Sequence, residues 1–434
     1  VLLNTADLLN IENHDLYFFS FVPIAFEDNL LRSNYSIVNY MDLEINDVKY
    51  CSKCIISNQR PSSVVEFKNK SEDIKPKITF QNGICSACIW ALEKEKINWE
   101  ARRNELEVLC DKFRNKNGSY DCIVPGSGGK DSAFASHFLK YELGMNPLTV
   151  TWAPHKYTDI GWKNFQSWVQ IGGFDNILIH PSGKVHRKLT RLAFENLGHP
   201  FQPFIIGQKL IGPRTSIMYD IPLVFYGENQ AEYGNKIEDN HKSTMDLSFF
   251  SESNSDELTI GGIPETTLVS DYDIKKSDLN MYKPVDFTML KKAKTEVHFL
   301  SYYVKWDPQE MFYYAAENTG FRPNDERTQG SYSKYAGIDD VLEWLHFYMI
   351  FIKFGIGRAT YDASQEIRNN KITREEGVSL VHKYDHEFPE KYLEDFLEYL
   401  DLDEKQLWET INKFRSPKIW DKEENNWVLK TQVT

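Results

Sequence analysis

An α/β protein built on a parallel sheet is the fold class this sequence predicts, with a cysteine-paired module before the sheet and a helical region after it. Three observations predict it. From Tyr120 to Tyr226, short apolar runs alternate with segments of helical spacing. That alternation makes βαβ units and a parallel sheet with helices on both faces. The first apolar run feeds into a glycine-rich turn and a helix, "CIVPGSGGKDSAFASHFLKYELG" (Cys122–Gly144). Upstream stand two CxxC pairs, "CSKC" and "CSAC".

The elements follow in order. Residues 1–48 read as short strands and loops with no assignable role. Residues 49–92 hold the paired cysteines. Ala91–Gly118 reads as a charged helix ended by Gly118. Cys122–Pro125, Leu148–Trp152, Asn176–His180 and Leu223–Tyr226 read as strands. Ser132–Leu143, Gly161–Gly172 and Lys184–Leu197 read as helices, and a longer helical region runs to about Tyr219. Residues 235–282 are polar and read as an insertion, either a lid or a disordered loop. Val297–Trp306 reads as a fifth strand. The chain beyond it is mostly helical to about Phe414.

Composition narrows the function classes. With 434 residues the chain can hold two or three domains. Fifty basic against 63 acidic residues give a net charge of −13, which disfavours nucleic acid as a partner. The apolar run Leu16–Phe26 is too short to span a bilayer, and the run Leu345–Phe354 carries His346 and Lys353. The first residues lack the basic stretch of a signal peptide. Six cysteines in a chain of this length do not make a disulfide scaffold, so a reducing cytoplasm is the expected location.

The glycine turn is the main chemical signal. Where a strand turns into a helix, unpaired N–H groups converge and the helix dipole adds positive potential. Gly126, Gly128 and Gly129 let the backbone wrap closely around a phosphate. Ser127 and Ser132 add hydroxyls, Lys130 adds charge, and Asp131 suits a Mg²⁺ ion on phosphate oxygens. A Walker A loop would need Ser or Thr after the lysine, where Asp131 stands. A dinucleotide fingerprint would need a glycine at that same position. "SGGKDS" (Ser127–Ser132) instead resembles the PP-loop of the N-type ATP pyrophosphatases. The resemblance implies a Rossmann-like domain that binds ATP and cleaves it between the α- and β-phosphates. It also implies that adenine rests near Thr151 and Trp152.

Cys51, Cys54, Cys85 and Cys88 form two knuckles that can share one tetrahedral ion. A four-cysteine site has no open position, so the Zn²⁺ it predicts is structural and the module is expected to be a zinc ribbon. Cys110 and Cys122 read as a helix-face thiol and a buried strand residue. His180 and His199 read as structural.

A cysteine module directly before a PP-loop resembles the bacterial N-acetyl sugar amidotransferases of surface-polysaccharide and nonulosonic-acid biosynthesis. "GQKLIGPRTSIMYDIPLVFYGENQAEYG" (Gly207–Gly234), "GSYSKYAGIDD" (Gly330–Asp340) and "KFGIGRATYDASQEIRNNKITREEG" (Lys353–Gly377) extend the resemblance over about residues 49–415. It implies domains at 1–48, 49–92 (zinc ribbon), 93–306 (PP-loop domain with the 235–282 insertion) and 307–434 (substrate region). It implies that ATP adenylates a sugar acetamido oxygen and that ammonia from a separate glutaminase subunit makes the acetamidino group. The implied catalytic residues are Lys130, Asp131 and Glu228, with Glu228 as a second Mg²⁺ ligand or an ordinary loop carboxylate. The substrate candidates are Gln208, Arg214, Asn229, Lys334, Tyr335, Asp339, Arg358 and Tyr361. Two rival readings are a PP-loop tRNA thiolation enzyme and a non-catalytic zinc-ribbon scaffold.

Overall fold

The computed structural model describes residues 48–61, 66, 77–228, 232, 241–251, 257–424 and 426–434. Residues 1–47 and Asn229 therefore lie outside the described residues, as do parts of the 235–282 segment. The α/β domain opens with helix α1 (Trp99–Phe113), followed by strand β1 (Cys122–Pro125) and helix α2 (Lys130–His137). Strand β2 (Pro147–Trp152), helix α3 (Asp159–Gln170) and strand β3 (Asp175–Ile179) follow. Helices α4 (Gly183–Leu197) and α5 (Gln202–Tyr219) lead to strand β4 (Leu223–Tyr226), and strand β5 (Glu296–Phe299) completes the sheet.

The five strands are all parallel, in the order β3-β2-β1-β4-β5. β1 and β2 are buried along their whole length. That is why they read as continuous apolar runs: both faces of a parallel sheet are covered. Side chains still alternate between two cores. Ile123 and Val224 join α4 and α5 on one face. Cys122, Val124, Leu223 and Phe225 join α1 and α2 on the other. Two glycines let α5 lie close to the sheet. A Cβ at Gly207 would meet the Trp152 ring at 2.1 Å, and one at Gly212 would meet Pro125 Cγ at 2.8 Å.

Strand order reverses at β1, whose neighbours β2 and β4 lie on opposite sides of it. Ligands of open α/β sheets bind beyond the carboxyl ends of strands at such a point. The chain puts the glycine turn after β1 and Glu228 after β4, so this topology brings both to the same edge.

Three local expectations are corrected. The helix expected over 91–118 is two helices, Ser86–Lys94 and α1, because Asn98 caps α1 by accepting from Ala101 N at 3.0 Å. The expected fifth strand stops at Phe299 and turns into a helix over Leu300–Tyr303. Leu300 and Tyr303 both enter the core, and a short apolar run does not reveal by periodicity which element it forms. The described part of 235–282 is folded rather than disordered. Its residues Leu258, Ile260, Ile263, Leu268, Ile274, Leu279 and Tyr282 are buried in the core that contains α4 and α5.

Downstream come helices α6 (Pro308–Thr319), α7 (Val341–Phe354) and α8 (Arg358–Arg368). Further helices follow, then a hairpin of Trp420–Glu423 with Asn426–Leu429. The cysteine module is a short hairpin, Phe80–Gln81 with Ile84–Cys85, running into the helix Ser86–Lys94. Its turn is Asn82-Gly83, both at positive φ, a tight hairpin signature. No zinc-ribbon sheet is present among the described residues, so the ribbon reduces to a four-cysteine cluster on knuckles. A buried ion pair ties this module to the sheet domain: Lys94 Nζ lies 2.9 Å from Glu232 Oε2 and donates to Trp306 O at 3.1 Å.

Candidate active site

Ser127, Gly128, Gly129, Lys130 and Asp131 line a cleft of about 570 Å³ together with Glu228. The turn is shaped by exclusion. Gly128 has φ +84°, and a Cβ there would sit 2.7 Å from Phe165 Cα of α3. A Cβ at Gly126 would meet Ser132 Cβ at 2.2 Å. Gly129 caps α2 with no side-chain hydrogen bond, so the first-turn amides remain available to an anion. Ser132 Oγ donates to Gly129 O at 3.1 Å and braces the turn from within.

Lys130 Nζ lies 2.5 Å from Asp131 Oδ2. Burial alone would lower the Lys130 ammonium, but the Asp131 and Glu228 carboxylates outweigh it and hold it above its ordinary value. Asp131 Oδ1 is buried without a hydrogen-bond partner. A buried carboxylate oxygen without a donor suits a hard cation, and Glu228 shares the cleft. Asp131 and Glu228 thus fit Mg²⁺ as a donor set.

The opposite wall comes from the C-terminal region. Tyr335, Gly337, Asp339, Glu343, Arg358 and Tyr361 all line the cleft. Asp339 O accepts from Thr158 N at 3.2 Å, which ties this wall to the sheet domain. Burial raises the Asp339 carboxyl above its ordinary value. Arg358 opens α8. Its Nη1 donates to Glu343 Oε1 at 3.2 Å, its Nε donates to Asp362 Oδ1 at 3.1 Å, and its guanidinium lies 4.1 Å from the centre of the Phe347 ring. Asp385 fixes the start of that helix, accepting from Gly357 N at 2.8 Å and Thr360 N at 2.9 Å.

Other candidates are placed elsewhere. Gln208 is exposed on the cleft rim. Arg214 is spent on backbone carbonyls, Asn280 O at 3.1 Å and Lys283 O at 2.6 Å, and is not in the cleft lining. Lys334 donates to Asp325 O at 2.6 Å and is also outside the lining. The side chains of Thr151 and Trp152 are buried in the core, so only their backbone could meet a base at that strand end. Asn229 is not described. His180 is exposed, whereas His199 lines the cleft beside Glu66, 3.6 Å away, and stacks on His346. Cys110 and Cys122 are buried in the core and line no part of the cleft, and burial pushes the Cys110 thiol up to about 12.

Sequence reasoning missed Glu343, Asp340 and Asp362. The signal at Asp340-x-x-Glu343 was present but ambiguous, because it matches a helix capping box. Asp340 does cap α7 through Leu342 N at 2.9 Å, and its other oxygen accepts from His155 N at 2.8 Å. Glu343 instead turns to Arg358.

The four cysteine sulfurs lie within 4.8 Å of one another and are buried. Cys51 Sγ is 3.8 Å from Cys88 Sγ, and Cys54 Sγ is 3.7 Å from Cys85 Sγ. A tetrahedron with metal–sulfur bonds of about 2.3 Å has edges of about 3.8 Å, so the cluster fits a metal ion such as Zn²⁺. Among the described residues no helix is long and apolar enough to cross a membrane.

Comparison with known proteins gives three findings. A family model described as "LPS biosynthesis protein WbpG-like, C-terminal domain" matches residues 329–434. The uncharacterized protein MJ1599 of Methanocaldococcus jannaschii is 30% identical over 100 residues, which is 23% of this chain and 31% of that protein. The chain thus matches less than a third of that relative's length. The solved structure of the U34-tRNA thiolase NcsA from Methanococcus maripaludis with its 4Fe–4S cluster aligns at 13% identity and a TM-score of 0.28. That alignment covers 82% of this chain and 90% of that chain, and so loose a superposition carries no argument about mechanism. One expectation is corrected: a whole-chain charge of −13 does not set the local field of a cleft, so nucleic acid is not excluded as a partner. The glycine turn lies at the switch point of a parallel α/β sheet, and the comparisons single out no activity for this chain.

Proposed function

We propose that this chain is an ATP-dependent amidotransferase that converts a sugar acetamido group to an acetamidino group in surface-polysaccharide biosynthesis. One observation carries the reading. The phosphate loop and the block matched by the LPS-biosynthesis family model line one and the same cleft. A sugar held by Tyr335, Arg358 and Tyr361 would then lie beside the α-phosphate of ATP.

The chemistry follows from what an amide lacks. Its oxygen is a poor leaving group and its carbon a weak electrophile. Attack of the amide oxygen on the α-phosphorus forms the O–P bond and expels pyrophosphate, which corrects both defects. The first-turn amides of α2 and the Lys130 ammonium hold the departing β,γ-phosphates and stabilise their growing charge. Asp131 and Glu228 would hold Mg²⁺, which when bound would supply further charge neutralisation. Exclusion of water from the cleft protects the adenylated amide from reverting to amide. Ammonia, from a separate glutaminase subunit, then displaces AMP. Zn²⁺ in the cysteine cluster has a structural role.

tRNA thiolation is the second reading. A four-sulfur cluster is common to zinc and iron–sulfur proteins, which keeps this reading open. Against it, no cysteine is among the residues lining the cleft. The test is incubation with ATP, ammonium and a panel of N-acetylated bacterial sugars, followed by mass spectrometry. The proposal expects AMP, pyrophosphate and a product lighter by the difference between O and NH. No product from sugars, with sulfur incorporated into tRNA in the presence of a sulfide donor, would replace it with the second reading.

A further inference from the structure

We propose that Glu343 accepts the proton shed by the attacking ammonia nitrogen, an inference that rests on the amidotransferase reading above. The geometry narrows the choice on the C-terminal wall, where Asp340 and Asp362 are each held through both oxygens. Asp340 spends one oxygen on Leu342 N and the other on His155. Asp362 is held by Arg358 and by Ser331 Oγ at 2.6 Å. Glu366, on α8, accepts through Oε2 from Tyr332 Oη at 2.7 Å. Among the described residues Glu343 accepts only through Oε1, from Arg358 Nη1. Its Oε2 is left for the cleft, where the side chain keeps 19% of its surface.

The position is built rather than incidental. Gly337 has φ +61°, and a Cβ there would meet Glu343 Oε1 at 2.7 Å, so the turn is shaped around the carboxyl. Glu343 stands in the first turn of α7, far from the phosphate loop in sequence but lining the same cleft. The charged groups facing it are Arg358 from α8 and Asp339 and Asp340 from the preceding turn, with Asp362 sharing Arg358. Burial pushes the Glu343 carboxyl up to about 7. The two aspartates add to that and Arg358 opposes it. A base poised near the working pH both takes up and gives back a proton readily.

The balance is simple. Ammonia enters with three hydrogens and its nitrogen ends with two. The C–N bond forms from the nitrogen lone pair, and the C–O bond to AMP breaks with its electrons leaving on the phosphate oxygen. The third hydrogen departs as a proton to Glu343 Oε2. Without that acceptor the ammonium adduct expels ammonia again more readily than AMP.

The test compares the full-length wild type with Glu343→Gln and Glu343→Asp, measuring amidine and pyrophosphate at constant free ammonia while pH is varied. The wild type should show amidine formation rising through a limb near pH 7, as Glu343 loses its proton. Glu343→Gln should lose that limb, and amidine formed per pyrophosphate released should fall roughly 10²-fold, the usual size of a general-base contribution. Glu343→Asp should recover part of it, and hydroxylamine should narrow the deficit. Pyrophosphate release in the variants reports that the loop is folded. A Glu343→Gln ratio and pH limb equal to wild type would overturn the inference alone. A wild type that releases no pyrophosphate with any N-acetylated sugar would overturn the amidotransferase reading, and this inference with it. Variants that release no pyrophosphate while the wild type does would place Glu343 in adenylation and overturn the proton-acceptor role.

Discussion

The phosphate loop and the cysteine cluster make an instructive pair. Each is built from four to six motif residues that gather ligand groups around a point. They differ in what is left open. The four sulfurs are buried and directed at one another, so a bound ion would have every position filled. The loop leaves the first-turn amides of α2 uncapped, and Asp131 Oδ1 without a partner. A closed set of donors stabilises a fold; an open one binds something that comes and goes. The cysteine module is also wired to the rest of the chain through Lys94 and Glu232, and Arg374 Nε donates to Cys54 O at 3.2 Å.

This contrast can be broken experimentally, and the largest effect belongs to the closed site. Cys88→Ser should release the metal and leave most of the chain unfolded, because metal binding to a structural four-cysteine site contributes on the order of 10 kcal/mol. Elemental analysis and a thermal melt check it. A folded, metal-free Cys88→Ser protein would remove the distinction. The open site should behave in the opposite way. Asp131→Asn should keep the metal content and the melting temperature, yet lower pyrophosphate formation by roughly 10²- to 10³-fold, the range for loss of one transition-state charge stabiliser. A smaller effect is expected at Gly128→Ala. The φ of +84° and the contact with Phe165 Cα should cost about 1–3 kcal/mol of stability and weaken ATP binding, measured by melt and calorimetry. The smallest is Arg214→Ala, which should cost about 1–2 kcal/mol in lost backbone hydrogen bonds and change turnover little, since Arg214 is outside the cleft lining. A large catalytic loss in Arg214→Ala would show that the cleft boundary is drawn wrongly.

What could be read from the sequence follows the same line between local and distant. Ser127–Ser132 and the four cysteines were legible because each site is made by residues a few positions apart, or by two repeats of one knuckle. The central strands were legible because burial on both faces leaves an unbroken apolar run, as in Cys122–Pro125. The end of β5 was not, since Leu300 and Tyr303 serve a helix as well as a strand. The far wall of the cleft was only half legible. Arg358 could be singled out, but its partners Glu343 and Asp362 sit on two helices separated by a turn at Gly355, with φ +67°. No spacing rule connects Glu343 to Ser127, because only tertiary packing brings them to one cleft. Arg214 and Lys334 have the chemistry of ligands, and only the backbone carbonyls beside them reveal that they are already used.

The central claim is that the glycine turn holds the β,γ end of ATP while the α-phosphorus is transferred. Phosphorus NMR of a turnover mixture with ATP, ammonium and an N-acetylated sugar tests it most directly. AMP and pyrophosphate appearing together, and vanishing in Asp131→Asn, is the result predicted here. ADP and orthophosphate as the products would contradict it.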